Sequence, residues 1–244
     1  EEAREVLKII NPSTADNLVD ELLASGSKSE ETSFKEFISG KYKLPILLAF
    51  LIAFFNQLSG INAIIYYAPR IFMETGMGAS VALLSSVGIG VTNLIATLIG
   101  MFLIDRFGRK NLMYVCSFGY IITLTSITIT FFTGAGSGTM LVPFLIFAFI
   151  ASHAVGQGAV IWVFISEIFP NNVRSYGNSL GAGTHWVFAA LIAATFPYVT
   201  GILGAGPTFA VFTIMTVFQL FFVWKMMPET KGKSLEELQS LFVK

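Results

Sequence analysis

Six separated apolar runs, each about 20 residues or more, constrain this chain more than any other feature of its sequence. They lie at roughly Leu44 to Ile71, Val81 to Ile104, Leu112 to Phe132, Met140 to Ile168, Tyr176 to Tyr198 and Pro207 to Met227. A run of that length, wound as a helix, matches the thickness of the hydrocarbon layer. In lipid the backbone must satisfy its own hydrogen bonds, which a helix does within a single segment. The chain is 54% hydrophobic and 12% charged, against about 25% charged for an ordinary soluble domain, with mean hydropathy +0.72. An all-α, polytopic membrane protein is therefore predicted. A net charge of zero leaves no electrostatic footprint for nucleic acid. The single cysteine, Cys116, falls inside an apolar run and reads as a small core residue.

Three regions follow from the pattern. Residues 1–43 read as a cytoplasmic helical linker, with one helix over Glu1 to Ile10 stopped by Asn11-Pro12 and a second from Ser13 or Thr14 to Ala24. A flexible link at Gly26 to Glu31 precedes the capping-box spacing of Ser33 and Glu36. Residues 44–227 form the six-helix transmembrane bundle, and residues 228–244 a cytoplasmic tail helix that starts at Ser234. Leu235, Leu238, Leu241 and Phe242 give that tail an apolar stripe, which predicts that it lies against the cytoplasmic face. Counting crossings puts every Lys and Arg except Arg70 on one side, and the positive-inside rule makes that side cytoplasmic, with both ends of the segment there. The start has no basic stretch leading into an apolar core, so no signal peptide is expected, and the missing initiator Met points to a segment of a longer protein.

Two spans differ from the other four: the first of each triplet carries polar groups at the depth of the lipid tails. The first span holds Asn56, Gln57, Ser59, Gly60 and Asn62; the fourth holds His153, Gly156, Gln157, Gly158 and Trp162. An amide without a partner in hydrocarbon costs roughly 2–7 kcal/mol, so either neighbouring helices or a polar ligand must satisfy these groups. Glycine-interrupted spans at matching places in two halves are a pointer to a transporter site. Asn93 in the second span and His185-Trp186 in the fifth could reach the same place. Amides donate and accept, and indoles offer flat apolar faces with one donor. That mixture suits a neutral polyhydroxylated ligand, and no Asp, Glu, Lys or Arg in mid-span favours an ionic one. Helix-to-helix glue is the competing reading for Asn93, and for His153 and His185 glue and a titrating role stand side by side.

Charges cluster at the cytoplasmic helix ends: Asp105, Arg106, Arg109 and Lys110 after the second span, Glu167 and Arg174 around the end of the fourth, and Glu229 after the sixth. They either form interhelical pairs that hold the cytoplasmic side shut in one conformation or simply anchor the topology. No H-E-x-x-H, Gly-x-Ser-x-Gly or Walker motif is present. Nothing in the sequence points to an enzyme, a metal or a cofactor.

Taken in order, Gln57-Leu58-Ser59-Gly60-Ile61-Asn62 with Tyr66-Tyr67, Asp105-Arg106-Phe107-Gly108-Arg109-Lys110, Ser166-Glu167-Ile168-Phe169-Pro170 with Arg174, and Pro228-Glu229-Thr230-Lys231-Gly232 resemble the signatures of the sugar porter family of the major facilitator superfamily. That family includes bacterial xylose-proton and galactose-proton symporters and the facilitative glucose transporters. The resemblance covers essentially the whole chain and implies the carboxyl-terminal half of a major facilitator fold, spans seven to twelve. It implies that Asn56, Gln57, Asn62, Asn93, Gly158, Trp162, His185 and Trp186 contact a sugar and that Tyr66 and Tyr67 belong to an extracellular gate. Asp105, Arg109, Glu167, Arg174 and Glu229 would form the cytoplasmic salt-bridge network, which favours gating over anchoring.

The implied function is a secondary transporter moving a monosaccharide, hexose or pentose, across the plasma or bacterial inner membrane by alternating access. Its partners would be the sugar, the bilayer, an amino-terminal six-helix half and, in a symporter, a proton. Symport and facilitated diffusion both stay open, because the family's coupling carboxylate lies in the other half. A transporter-like membrane sugar sensor is the alternative. Three departures bear on which sugar is used: Asn56 stands where the family has Gln, residues 156–162 lack the prolines of many glucose facilitators, and His185 replaces an amide.

Overall fold

The computed structural model describes Glu5, residues 33–233, Glu237 and Leu238. Apart from Glu5, the soluble helices expected over residues 1–24, the link that follows them and the Ser234 start of the tail helix lie outside the described residues. The chain enters through a short helix α1 (Phe34–Phe37), capped by Ser33, whose Oγ accepts from the Glu36 N–H at 3.3 Å. Its Phe37 packs on Phe169 and Tyr176, and Leu238 of the tail is buried in the same cluster.

Each of the six apolar runs forms a helix long and apolar enough to cross a membrane. The first is α2 (Lys43–Leu58) continued by α3 (Ile61–Glu74), and the second and third are α4 (Ala79–Phe107) and α5 (Arg109–Thr133). The fourth is α6 (Leu141–His153), a five-residue π-helical segment (Ala154–Gly158) and α7 (Ala159–Ile168). The fifth and sixth are α8 (Arg174–Leu203) and α9 (Ala205–Lys225).

The two triplets share their punctuation. The first helix of each is irregular, and the second turns into the third through one glycine. Gly108 (φ 85°, ψ 164°) joins α4 to α5, and Gly204 (φ 84°, ψ 168°) joins α8 to α9. That backbone region is essentially closed to residues with a Cβ, so a one-residue corner between two long helices requires glycine at both places.

Helices α8 and α9 pack along α2 and α5 respectively, while the fourth span sits against α4 and α5. The core divides into two apolar clusters. One, toward the α1 side, includes Leu48, Ile52, Met113, Phe164, Phe169 and Phe222; the other includes Ile64, Phe72, Leu124, Phe149, Phe209 and Phe212. Between them runs a layer of buried polar side chains: Asn56, Gln57, Ser59, Ser117, Gln157 and Gln219. Gln219 donates to Ser117 Oγ at 3.0 Å and Gln157 to the Ile52 carbonyl at 3.2 Å, each tying two spans together. Interhelical hydrogen bonds in membranes contribute about 0.6 kcal/mol each, so this layer fixes register more than it supplies stability. The second and fifth spans are the least enclosed, 22% and 17% of their most apolar stretch being buried against 61% for the first. Both therefore present broad faces to surroundings outside the chain.

Candidate functional site

The break in the first span builds the site. A continuous helix would bond the Gly60 N–H to the Asn56 carbonyl; instead it reaches Gln57 O at 2.9 Å, because Gly60 turns to φ 83°. The Ser59 hydroxyl takes over the vacated carbonyl, donating to Asn56 O at 2.7 Å. A side chain at position 60 would be strained at that φ, and its Cβ would lie 2.5 Å from Phe212 Cδ2. The kink lets amides on either side of it meet. Gln57, fully buried, donates through Nε2 to Asn56 Oδ1 at 2.7 Å and lies 3.1 Å from the nearer ring nitrogen of His185 on α8. Asn62 Nδ2 donates to Gln57 Oε1 at 2.8 Å. His185 in turn lies against the Trp162 ring of α7, centroids 5.1 Å apart.

Opposite this break, the fourth span is widened by its π-helical turn, a feature that recurs at functional sites. The two irregularities face one cavity of about 240 Å³. Asn56, Gln57 and Asn62 line it from the first span, and Asn93 from the second. Gly158 and Trp162 line it from the fourth, and His185 from the fifth. Trp186 does not; it is 59% exposed and meets His185 edge-on at 5.1 Å. Neighbouring residues on a helix point about 100° apart, so the position after His185 faces elsewhere. The lining also includes Ile61, Ile65, Thr97, His153, Ala154 and Ile161, which the sequence did not single out as contacts. Thr97 stands one helical turn from Asn93, and Ile61 and Ile65 one and two turns from Gln57, so i+4 spacing from an expected residue was the available signal. No charged side chain lines the cavity among the described residues.

Tyr66 is 53% exposed, whereas Tyr67 is tied down: its hydroxyl donates to the Ala193 carbonyl at 2.8 Å and its ring stacks on Phe196 at 5.3 Å. The two proposed gate residues thus differ in freedom.

At the helix ends near α1, Arg109 opens α5 and is largely buried. It grips Glu167 at the end of α7 through both oxygens, Nη2 to Oε1 at 2.7 Å and Nε to Oε2 at 3.2 Å. Paired donors on a carboxylate are the strong geometry. Thr230 adds a hydroxyl donor to Glu167 Oε2 at 2.7 Å. Asp105 reaches Arg109 only at 3.4 Å and is 81% exposed, a contact of small worth in water. Glu229 joins differently from the expected ion pair. Its carboxylate accepts the N–H groups of Arg109 (2.9 Å) and Lys110 (3.0 Å), capping α5, together with those of Thr230 and Lys231. Burial raises its pKa, but those backbone donors outweigh burial and hold the carboxyl below its ordinary 4.5. Arg174, expected in this network, makes no ion pair among the described residues, and its Nε is buried without a hydrogen-bond partner. Glu167 is met instead by Arg109 and Thr230.

A family profile described as "Sugar (and other) transporter" matches residues 1–242. The chain belongs to the sugar transporter family. It is 32% identical to the D-xylose-proton symporter of Escherichia coli, over 99% of this chain and 50% of that protein. It is 33% identical to the arabinose-proton symporter of Bacillus subtilis, over 100% of this chain and 52% of that protein. Its fold superposes on a double-tryptophan mutant of XylE with TM-score 0.85 at 30% identity, covering 99% of this chain and 52% of that one. XylE bound to 6-bromo-6-deoxy-D-glucose matches with TM-score 0.82 at 30% identity, over 98% of this chain and 51% of that one. The chain spans about half the length of the relatives it matches and corresponds to one half of the major facilitator fold. An integral membrane protein follows from the family and the six apolar helices together.

Proposed function

We propose that this chain forms one substrate-binding half of a secondary transporter that carries a hexose or pentose across the plasma or bacterial inner membrane by alternating access, with both ends of the segment cytoplasmic. The observation that carries this reading is the uncharged cavity between the broken first span and the π-widened fourth. Its volume of about 240 Å³ falls below the roughly 300–1,000 Å³ of pockets for drug-sized ligands, which suits a small one. Amides from Gln57, Asn62 and Asn93 offer donors and acceptors to hydroxyls, and Trp162 offers a flat face to a sugar ring. The second and fifth spans, which bring Asn93 and His185 to the cavity, are the least enclosed, so a second six-helix half packed on them would close the site. Rocking of the two halves would then expose the cavity to each side in turn. The Arg109–Glu167 grip and the Glu229 cap would hold the helix ends together on the cytoplasmic side in the outward-facing state. Relatives named as proton symporters for xylose and arabinose support a proton as co-substrate, with the coupling group outside this half.

The test is uptake of labelled monosaccharides into liposomes by the full-length protein, with and without an imposed proton gradient. Saturable, competable entry of a hexose or pentose is expected, and gradient-driven accumulation identifies symport. Saturable sugar binding without any entry would overturn the transport reading in favour of a sensor.

A further inference from the structure

Behind the cavity wall runs a hydrogen-bond relay that none of the cavity-lining amides takes part in. It begins at the Ile52 carbonyl in α2, which can only accept. Gln157, fully buried in the π-helical segment, donates to that carbonyl through Nε2 at 3.2 Å, which fixes the orientation of its amide. Gln157 Oε1 therefore points the other way, toward the Tyr120 hydroxyl of α5 at 3.3 Å, and it too can only accept. Tyr120 is wholly buried, its ring packed on Phe149 at 4.8 Å, and its hydroxyl donates to Gln157 Oε1. The hydroxyl proton goes to Gln157, which leaves the Tyr120 oxygen as an acceptor facing His153 Nδ1, its close neighbour. For that contact to be a hydrogen bond, Nδ1 must carry the imidazole proton.

Nε2 is then the unprotonated nitrogen. It lies on the cavity side of the ring: His153 lines the cavity together with Gly158, and a Cβ at Gly158 would stand 3.4 Å from His153 Cδ2 and 3.5 Å from Nε2. The bare glycine leaves that edge uncovered, and Nε2 has no hydrogen-bond partner among the described residues. Three spans are thus involved in setting one lone pair: the first through Ile52, the third through Tyr120, and the fourth through Gln157 and His153.

We infer that His153 is a specificity-determining acceptor in the sugar site, its tautomer fixed by the Ile52–Gln157–Tyr120 relay so that it requires a ligand hydroxyl able to donate. This rests on the reading of the cavity as a monosaccharide site. A ring nitrogen whose proton position is dictated by the bond at the other nitrogen is a general property of histidine. Here the consequence is discrimination. A deoxy sugar loses the bond, and a fluorodeoxy sugar loses it as well, since fluorine cannot donate. Tyr120 and Gln157 act through His153 and are positioning residues.

The mutation-free test is nitrogen NMR of histidine-labelled full-length protein. His153 is expected in the Nδ1–H form, switching toward the Nε2–H form in Tyr120→Phe and in Gln157→Met. The functional test is a scan of deoxy and fluorodeoxy analogues of the transported sugar. At one ring position both analogues should bind about 3- to 10-fold more weakly than the parent, and His153→Phe should abolish that discrimination. Tyr120→Phe, which keeps the packed ring, should raise KM by a similar factor with little change in kcat. An Nε2–H His153 in the wild-type protein, or wild-type analogue preferences that survive in His153→Phe, would overturn the inference. If the wild-type protein carries no monosaccharide, the transport proposal fails while the NMR result still decides the relay. Gln157→Met serves where Tyr120→Phe fails to fold.

Discussion

Replacing Gln57 by Ala separates a sugar ligand from a helix tie. Gln57 is fully buried, and its amide is engaged on both atoms, with Asn56, His185 and Asn62. If those bonds only hold helices together, the change costs roughly 0.6 kcal/mol of stability per contact and leaves sugar affinity untouched. If Gln57 exchanges these partners for sugar hydroxyls on binding, Ala leaves a buried hydroxyl unpaired, at about 1–3 kcal/mol. In the empty state water can enter the cavity and serve Asn62, so the loss falls mainly on the bound state. The dissociation constant should rise about 5- to 150-fold. Titration of the full-length protein, followed by the fluorescence of Trp162 in the cavity wall, reads the change directly. Gln219→Ala is the control: Gln219 is equally buried and bonded to Ser117, but it does not line the cavity, so it should lower thermal stability without moving affinity. Equal affinities for wild type and a folded Gln57→Ala, or equal losses in Gln57→Ala and Gln219→Ala, would refute the argument.

Three other perturbations follow from the geometry. Gly60→Ala combines a left-handed backbone, about 1–2 kcal/mol, with a Cβ 2.5 Å from Phe212, about 1–3 kcal/mol, so thermal unfolding in detergent should move clearly downward. Adding Phe212→Ala should relieve only the second part, and an unchanged melting temperature for Gly60→Ala would mean the first span is not broken there. Glu167→Gln removes one partner of the largely buried Arg109 and should favour the inward-open state. That shift is measured as faster reaction of a Thr97→Cys probe with a thiol reagent from the cytoplasmic side, and equal rates would reduce the cluster to topological anchoring. Glu229 gives a pH signature: its pKa is depressed when it caps α5, so its contribution is complete above about 4.5 and is lost as pH falls through the lowered value. Stability should hold from neutral pH to that point and then decline, and Glu229→Gln should remove this acid limb. Superimposable acid limbs in the two proteins would show that the cap does not form.

The spans and the polar stretch were legible because both rest on local rules. Length and apolarity decide what crosses a bilayer, and an amide in such a run needs a partner wherever it lies. Asn56, Gln57 and Asn62 could be picked out on that ground alone. Trp186 lies off the cavity wall because adjacency in sequence is not adjacency on a helix face, and which of positions 185 and 186 faces the cavity depends on how α8 is rotated against α2. Arg174 stands outside the Glu167 pair for another reason: which cation reaches Glu167 depends on where three helix ends converge, and Arg109 arrives with two donors. Glu229 meets the cluster through backbone N–H groups rather than an ion pair, which the sequence does not display because a helix N-terminus offers its backbone only once the tail has folded back across it. His153 was ambiguous in sequence because its role depends on Tyr120, 33 residues away on another span.

Why the irregular helices and the cavity coincide is a matter of hydrogen-bond supply. A regular helix in lipid spends its backbone donors internally, and its polar side chains must then find one another or a ligand. In the first span the turn at Gly60 vacates the Asn56 carbonyl, Ser59 fills it, and the amides of Gln57 and Asn62 are brought onto one wall. In the fourth, the wider π turn carries Gln157 to Ile52, which anchors its amide and leaves Gly158 as bare backbone beside His153. Ser59 and Gln157 are thereby anchored by bonds directed away from the cavity, while Asn56, Gln57, Asn62 and His185 hold one another along its wall before a ligand arrives. Straightening either helix would remove the anchors while keeping the same residues, which is why Gly60→Ala should weaken binding as well as stability even though glycine itself offers a sugar nothing to bind.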